Sequence, residues 1–97
     1  MLHMVNKSPF QNGALDSALR FAREDDVILL LEDGVYAAKK GTSKADAMKK
    51  ALKKYKIYAI SADVKARGIA NVVDGVKVVG YDKFVKLVEK NLTHSWL

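Results

Sequence analysis

The chain has 97 residues, which suits one domain and leaves no room for a second. It contains no cysteine, which excludes a disulfide framework, a thiolate metal site and any persulfide carried by this chain itself. Its 17 Lys and Arg residues against 11 Asp and Glu residues give a net charge of +6. With neither a signal peptide nor a membrane-length apolar run, the sequence predicts a single cytoplasmic domain over residues 1–97.

The first half of the chain alternates short apolar runs with amphipathic segments. Leu2 to Val5 predicts a strand, and we expect a helix to open at Asn12 or Gly13. The continuous apolar run from Val27 to Leu31 is typical of a central parallel strand that is covered on both faces. Val35 to Lys39 is expected to form one or two helical turns.

The second half continues the alternation. Ser43, with Asp46 three residues later, predicts a helix start of the capping-box kind. The later elements are a strand over 57–60, a short helix capped by Ser61 or Asp63 and ended by Gly68, a strand over 76–79, a helix over 82–91 and a leftover tail over 93–97.

Strands that alternate with helices predict right-handed βαβ units. We therefore expect an α/β fold of three layers, α/β/α, around a mainly parallel sheet of four to five strands. Ligands of such folds usually bind beyond the carboxyl ends of the strands. The polar residues expected there define a candidate strand-end pocket: Asn6, Lys7, Ser8, Asp33, Gly34, Ser61 and Asp63.

The turn after the first strand, Asn6-Lys7-Ser8-Pro9, lacks the glycines that let a backbone wrap a phosphate. Pro9 also removes one N–H donor, so we expect the turn to fix the start of the first helix and to bind no phosphate. His3 lies within a strand and is expected to be buried and hydrogen-bonded. No nucleophile–base pair and no metal-ligand spacing is present, so we predict no enzyme activity, cofactor or metal.

Five lysines on the central helix, where Asp46 is the single acid nearby, form the strongest electrostatic feature. They are Lys44, Lys49, Lys50, Lys53 and Lys54. An ordinary solvated helix face is the favoured interpretation, because stacking aromatics that accompany specific RNA binding are missing from it. A small basic RNA-binding module is kept as an alternative.

The end of the chain is unusual because a large aromatic stands where termini are normally polar and frayed. Trp96 and Leu97 should either pack on their own domain or anchor in a neighbour, and Trp is enriched at interface hot spots. With Phe10 and Tyr36 they form the candidate partner interface.

Several segments together resemble one family, the DsrH/TusB proteins of the DsrE/DsrF/DsrH-like sulfur-relay group. They are "LHMVNKSPF" near the start, "LLLEDGVYAA" at the second strand, "ISADVKARG" after the third, "YDKFVKL" in the last helix and "SWL" at the end. Each segment alone is unspecific, but the ordered set covers nearly the whole chain.

The resemblance implies a DsrEFH-like fold and a subunit of a complex that passes persulfide sulfur between proteins. It implies two larger sister subunits, of the DsrE/TusD and DsrF/TusC types, in a dimer of heterotrimers. The pathway implied first is 2-thiouridine formation at the tRNA wobble position, and sulfur oxidation is the alternative. We expect no membrane contact and no direct nucleic-acid contact. Whether the isolated chain pairs with itself as a two-fold dimer stays open.

One departure from the DsrH pattern matters for chemistry. DsrH proteins that resemble this chain carry a cysteine in the first helix, where "ALDSALRFA" here places Ala18. A methyl group cannot accept sulfane sulfur. The resemblance therefore implies a structural or docking subunit that carries no sulfur itself.

Overall fold

The computed structural model describes residues 1–96, and Leu97 lies outside the described residues. The strands are β1 (Leu2–Val5), β2 (Val27–Leu30), β3 (Lys56–Ile60), β4 (Lys77–Val79) and β5 (Thr93–Trp96). The α-helices are α1 (Ala14–Phe21), α2 (Ala45–Leu52), α3 (Ser61–Ala66) and α4 (Tyr81–Lys90), and a 3-10 helix spans Glu32–Ala38. Within residues 1–96, no helix has both the length and the apolar character needed to cross a bilayer.

All five strands run parallel in one sheet, in the order β4-β3-β2-β1-β5. Three of them occupy the interior of the sheet, and the apolar run of β2 lies at its centre. Ile28, Leu29 and Leu30 are fully buried although their side chains alternate between the two faces. Both faces of the sheet are therefore covered, which confirms the predicted three-layer α/β/α fold.

The path of the chain decides which helices cover which face. From β1 to β4 each strand is added on the same side of the previous one, so right-handed crossovers place α1, α2 and α3 on one face. The connection from β4 to β5 returns across the whole sheet, so α4 lies on the opposite face. The larger apolar cluster, with Ala18, Met48 and Val64, packs under the first three helices. The smaller cluster packs under α4 around Leu87.

Three expectations about local structure were wrong. Neither Ser61 nor Asp63 caps α3, which has Ile60 at its N-cap and no side-chain capping hydrogen bond. The tail that we expected to be left over forms β5, which pairs with β1 so that Thr93 lies beside Leu2 and Trp96 beside Val5. Ser43 does not cap α2. The helix begins one residue later than a Ser43 cap would place it, with Lys44 at the N-cap, and the Oγ1 of Thr42 accepts a hydrogen bond from the Lys44 N–H at 3.2 Å.

Gly34 lies at the closest approach between the 3-10 helix and β1. A Cβ atom built on Gly34 would overlap the carbonyl oxygen of Val5 and lie 2.9 Å from its carbonyl carbon. Leu31 donates its backbone N–H to that same oxygen at 3.1 Å, so the Val5 carbonyl cannot move away freely. Only glycine lets the chain turn this tightly over the end of β1.

A hydrogen-bonded cluster joins β5, β1 and the loop before β2. The Trp96 indole N–H donates to His3 Nδ1 at 3.0 Å, and His3 Nε2 lies 2.8 Å from a carboxylate oxygen of Asp26. Because an indole can only donate, Nδ1 must accept, and the His3 proton is on Nε2. Asp26 also accepts from the Met1 ammonium at 2.9 Å and from the Arg23 N–H at 2.9 Å. The expectation that His3 is buried and hydrogen-bonded is confirmed.

Burial alone would raise the pKa of the Asp26 carboxyl. Hydrogen bonds from the Arg23 backbone N–H, from His3 and from the N-terminal ammonium outweigh burial and hold that pKa well below its usual range. The ionised carboxylate is therefore the form that the folded protein stabilises.

Replacing Gly34 tests the close approach to β1. Gly34→Ala should lower the free energy of unfolding by roughly 1–3 kcal/mol, because the added methyl group must displace backbone atoms of Val5. Gly13→Ala is the matched control, since a Cβ there meets nothing within 4 Å and should change stability by less than about 1 kcal/mol. Urea unfolding measures both, and equal stabilities for the two variants would contradict the close approach.

Acid should weaken the hydrogen-bonded cluster in which Asp26 contacts His3 and the N-terminal ammonium. A carboxyl with a lowered folded-state pKa adds stability that is complete above its unfolded pKa of about 3.9 and is lost as the pH falls below that value. We expect Asp26→Asn to lower the free energy of unfolding by roughly 1–3 kcal/mol at pH 7 and to flatten its decline between about pH 4 and pH 2.

Asp74→Asn serves as the control for Asp26→Asn, because Asp74 is 92% exposed and its ion pair with Lys40 lies on the surface. Chemical denaturation across this pH range should show the wild-type decline in that variant. An unchanged decline in Asp26→Asn as well would show that the cluster does not set the acid response.

Candidate functional site

The carboxyl ends of β1 and β2 open into two loops that together line a surface cavity of about 430 Å³. Ser8, Phe10 and Gln11 line it from the first loop, and Asp33 and Tyr36 line it from the 3-10 helix. Parallel strands end at the same edge of a sheet, which is why residues about 25 positions apart in sequence meet here. This strand-end cavity is the candidate functional site.

The turn that follows β1 uses its own polar groups. Ser8 is buried, and its Oγ accepts the backbone N–H of Phe10 at 3.2 Å, while its carbonyl accepts the N–H of Gln11 at 3.2 Å. Asn12 Oδ1 then accepts the Ala14 N–H at 2.7 Å, at the first residue of α1. With these donors engaged and Pro9 having none, the turn offers little to a phosphate and instead orders the start of α1.

The second loop is held by α3. Glu32 has a left-handed backbone with φ of 49°, and its N–H donates to Asp63 Oδ2 at 2.9 Å. Arg67 donates from Nε to Asp33 Oδ1 at 2.9 Å, and its Nη1 lies 3.6 Å from Asp63 Oδ1. One guanidinium thus contacts both carboxylates and offsets one of their two negative charges.

The residues predicted for the strand-end pocket do not line a single cavity. Ser8 and Asp33 line the 430 Å³ cavity, whereas Asp63 lines a separate cavity of about 90 Å³ beside Tyr81. The others are placed as follows: Lys7 is exposed, Ser61 opens α3, Gly34 is buried over Val5, and Asn6 is half-buried with an Oδ1 that has no hydrogen-bond partner among the described residues.

The residues predicted for the partner interface lie in different surroundings. Phe10 is 50% exposed at the rim of the cavity, while Tyr36 is half-buried against the main core. Trp96 packs on its own chain, stacked on Phe21 with ring centroids 5.8 Å apart and edge-on to His94 at 4.6 Å. Leu97 lies outside the described residues, so its predicted contact stays a prediction.

The chemistry open to these residues is limited. The Ser8 hydroxyl is occupied by a backbone N–H, and both ring nitrogens of His3 are hydrogen-bonded, to Asp26 and Trp96. Ala18 is fully buried in the main core, so the position at which DsrH relatives carry cysteine faces inward here. Within residues 1–96 no three side chains of metal-binding type come together. The apolar surface of the site consists of the half-exposed Phe10 ring and the half-buried Tyr36 ring.

The predicted basic face exists as a surface. Lys49, Lys50, Lys53 and Lys54 are exposed along and just after α2. Lys44 is more buried, with its Nζ 3.9 Å from Asp16.

Two features were missed at the sequence level. Arg67 was not predicted to hold the second loop, although its spacing of four residues from Asp63 is a detectable ion-pair signal. The exposure of the outward apolar residues of α4 was not predicted either. Their spacing of four and three residues, offset from Phe84 and Leu87, was the available signal.

Comparison with known proteins places the chain in a family. The family model described as DsrH like protein matches residues 7–94. Protein TusB of Erwinia tasmaniensis is 38% identical over 92 residues, covering 94% of each chain. Protein TusB of Enterobacter sp. (strain 638) is 37% identical over 98 residues, covering 99% of this chain and all of the other. Protein TusB of Escherichia coli (strain K12) is 34% identical over 92 residues, again covering 94% of each chain.

Solved structures show the same fold. The ychN protein from E. coli superimposes with a TM-score of 0.78 at 18% identity, covering 95% of this chain and 94% of that one. Protein MTH1491 from Methanobacterium thermoautotrophicum superimposes with a TM-score of 0.71 at 19% identity, covering 97% and 95%. The family match and the TusB relatives confirm the resemblance inferred from the sequence motifs, and the chain belongs to the DsrH family.

Proposed function

We propose that this protein is a cysteine-free, non-catalytic subunit of a sulfur-relay complex. Membership of the DsrH family supports a role in sulfur relay. The observation that carries the finer proposal is the absence of any thiol from the 97 residues, together with the burial of Ala18. The chain would act by holding and shaping the subunits that carry sulfur.

The chemistry of sulfur relay explains why a thiol-free chain cannot be a carrier. In each transfer, an acceptor thiolate attacks the outer sulfur of a donor persulfide. The donor S–S bond breaks, the donor leaves as a thiolate, and a persulfide forms on the acceptor. Both reacting groups are cysteine side chains. The thioethers of the three Met residues have no thiolate form and cannot replace them.

The partners of this proposal are the two sister subunits implied by the family resemblance, of the DsrE/TusD and DsrF/TusC types, in a dimer of heterotrimers. The strand-end cavity supports contact with one of them. Phe10 exposes half of a large apolar side chain beside the half-buried Tyr36 ring, and aromatic side chains in such settings are enriched at protein interfaces.

The pathway favoured by the relatives is tRNA 2-thiolation in the cytoplasm. Full-length relatives at 34–38% identity bear the name Protein TusB. The family resemblance implies that TusB-type systems deliver sulfur toward 2-thiouridine at the wobble position. Ala18 stands where the resembling DsrH proteins carry a cysteine, but this difference does not decide the pathway. A DsrH-like subunit of a sulfur-oxidation complex is the alternative.

Co-expression with the sister subunits, followed by loading with radiolabelled persulfide sulfur, tests the proposal. We expect the three chains to co-purify and the label to appear on a cysteine-bearing partner but never on this chain. Phe10→Lys should weaken the complex at least about tenfold, with Val78→Lys as a control on the exposed β4 edge. Label retained on this chain, or failure of the wild-type chain to co-purify, would refute the proposal.

A second candidate function is favoured by the exposure of four neighbouring lysines on and after α2. If these lysines contact RNA phosphates, tRNA binding should weaken steeply with salt, and Lys49→Glu/Lys50→Glu/Lys53→Glu should abolish it. Lys83→Glu/Lys86→Glu/Lys90→Glu makes the same change in net charge on α4 and should retain binding. Filter binding across a salt series measures both, and equal losses in the two variants would indicate a response to net charge alone.

A further inference from the structure

Within residues 1–96, α4 carries three exposed large apolar side chains, more than any other helix or strand. Tyr81 is 61% exposed, Val85 50% and Val88 39%, and Leu92, just beyond the helix, is 79% exposed. Tyr81, Val85 and Val88 follow one another at spacings of four and three residues, so they form one stripe along the helix. We refer to these three residues as the α4 stripe.

The stripe is a consequence of the topology. Phe84 and Leu87 direct α4 onto the sheet, where they join the smaller core cluster. Because α4 is the one helix on this face, no second helix covers its apolar flank within residues 1–96. Strand alternation places Thr93 and Ser95 of β5 on the same face as Leu2 and Met4, and both of these β5 residues are exposed. The face beside α4 is therefore open to a partner.

Charges around the stripe argue against a second copy of this chain. Asp82 and Glu89 are seven residues apart, so they share one side of α4, adjacent to the stripe. Two copies of α4 packed antiparallel about a two-fold axis would bring this acidic side against its own image. Each copy also has a net charge of +6, which adds repulsion over a longer range.

The lysines of α4 lie away from the stripe. Lys83, Lys86 and Lys90 are spaced so that they share the other side of the helix, and Lys83 Nζ lies 5.6 Å from the centroid of the Tyr58 ring. The border that a partner would meet beside the stripe is thus acidic, although the chain as a whole is basic.

We propose that the α4 stripe docks a different protein chain, one with an apolar surface bordered by Lys or Arg side chains that face Asp82 and Glu89. This inference rests on the proposed function, which supplies the sister subunits as the chains concerned. Phe10 precedes α1, on the opposite face of the sheet from α4, so the two contacts are separate. A subunit with two separate contact surfaces can touch two different neighbours at once.

Affinity for the purified pair of DsrE/TusD-like and DsrF/TusC-like subunits, measured by isothermal titration calorimetry, tests this inference. Val85→Lys should weaken binding at least about tenfold, because it places a cation in the apolar centre. Asp82→Lys/Glu89→Lys should also weaken binding and reverse its salt dependence.

Val78→Lys is the matched control, because Val78 is 42% exposed on β4, beside Ala59 and on the opposite face of the sheet. Circular dichroism confirms that each variant is folded.

The outcomes separate the two proposals. If the wild-type chain fails to bind the pair, the proposed function fails and this inference fails with it. If the wild-type chain binds and Val85→Lys binds equally well, the inference alone is overturned. It is also overturned if sedimentation shows that the isolated chain forms a dimer that Val85→Lys dissociates, because the stripe is then covered by a second copy.

Discussion

The direction of the β4-to-β5 connection is the constraint on which the rest of this structure depends. Right-handed crossovers leave three helices on one face of a short parallel sheet and one helix on the other. The three-helix face encloses the larger core and buries Ala18, while the single-helix face leaves an apolar flank uncovered. The same crossovers bring the loops after β1 and β2 to one edge, where the strand-end cavity forms.

The amino-acid composition alone excludes a sulfur carrier, because sulfane sulfur moves between thiolates and the chain has none. For the proposed docking role, the structure supplies two surfaces. It offers an aromatic rim at the strand ends and an apolar stripe on α4, and neither surface contains a paired nucleophile and base.

The sequence predicted most of the fold because apolar runs and helix periodicity are local signals, and β2 and His3 are examples that were confirmed. It missed β5 because residues 93–95 are polar and form a strand only through pairing with the open edge of β1, which is a non-local interaction. The strand-end residues were predicted as one pocket, but Ser8 and Asp33 line one cavity and Asp63, on α3, lines another. The spacing of Val85 and Val88 sets them on a separate flank of α4 from Phe84 and Leu87, but whether that flank is covered depends on how many helices share the face, which is a non-local property.

The two outer strands of the sheet, β4 and β5, are poor templates for backbone pairing with another chain. At one margin β4 is three residues long and begins with an exposed lysine, and at the other the exposed residues of β5 are Thr93, His94 and Ser95. Short, polar or charged outer strands discourage further backbone pairing. Contacts with other chains are therefore expected to form through side chains on the faces of the domain. Edge-to-edge extension of the sheet, which is how parallel sheets grow into fibres, is disfavoured.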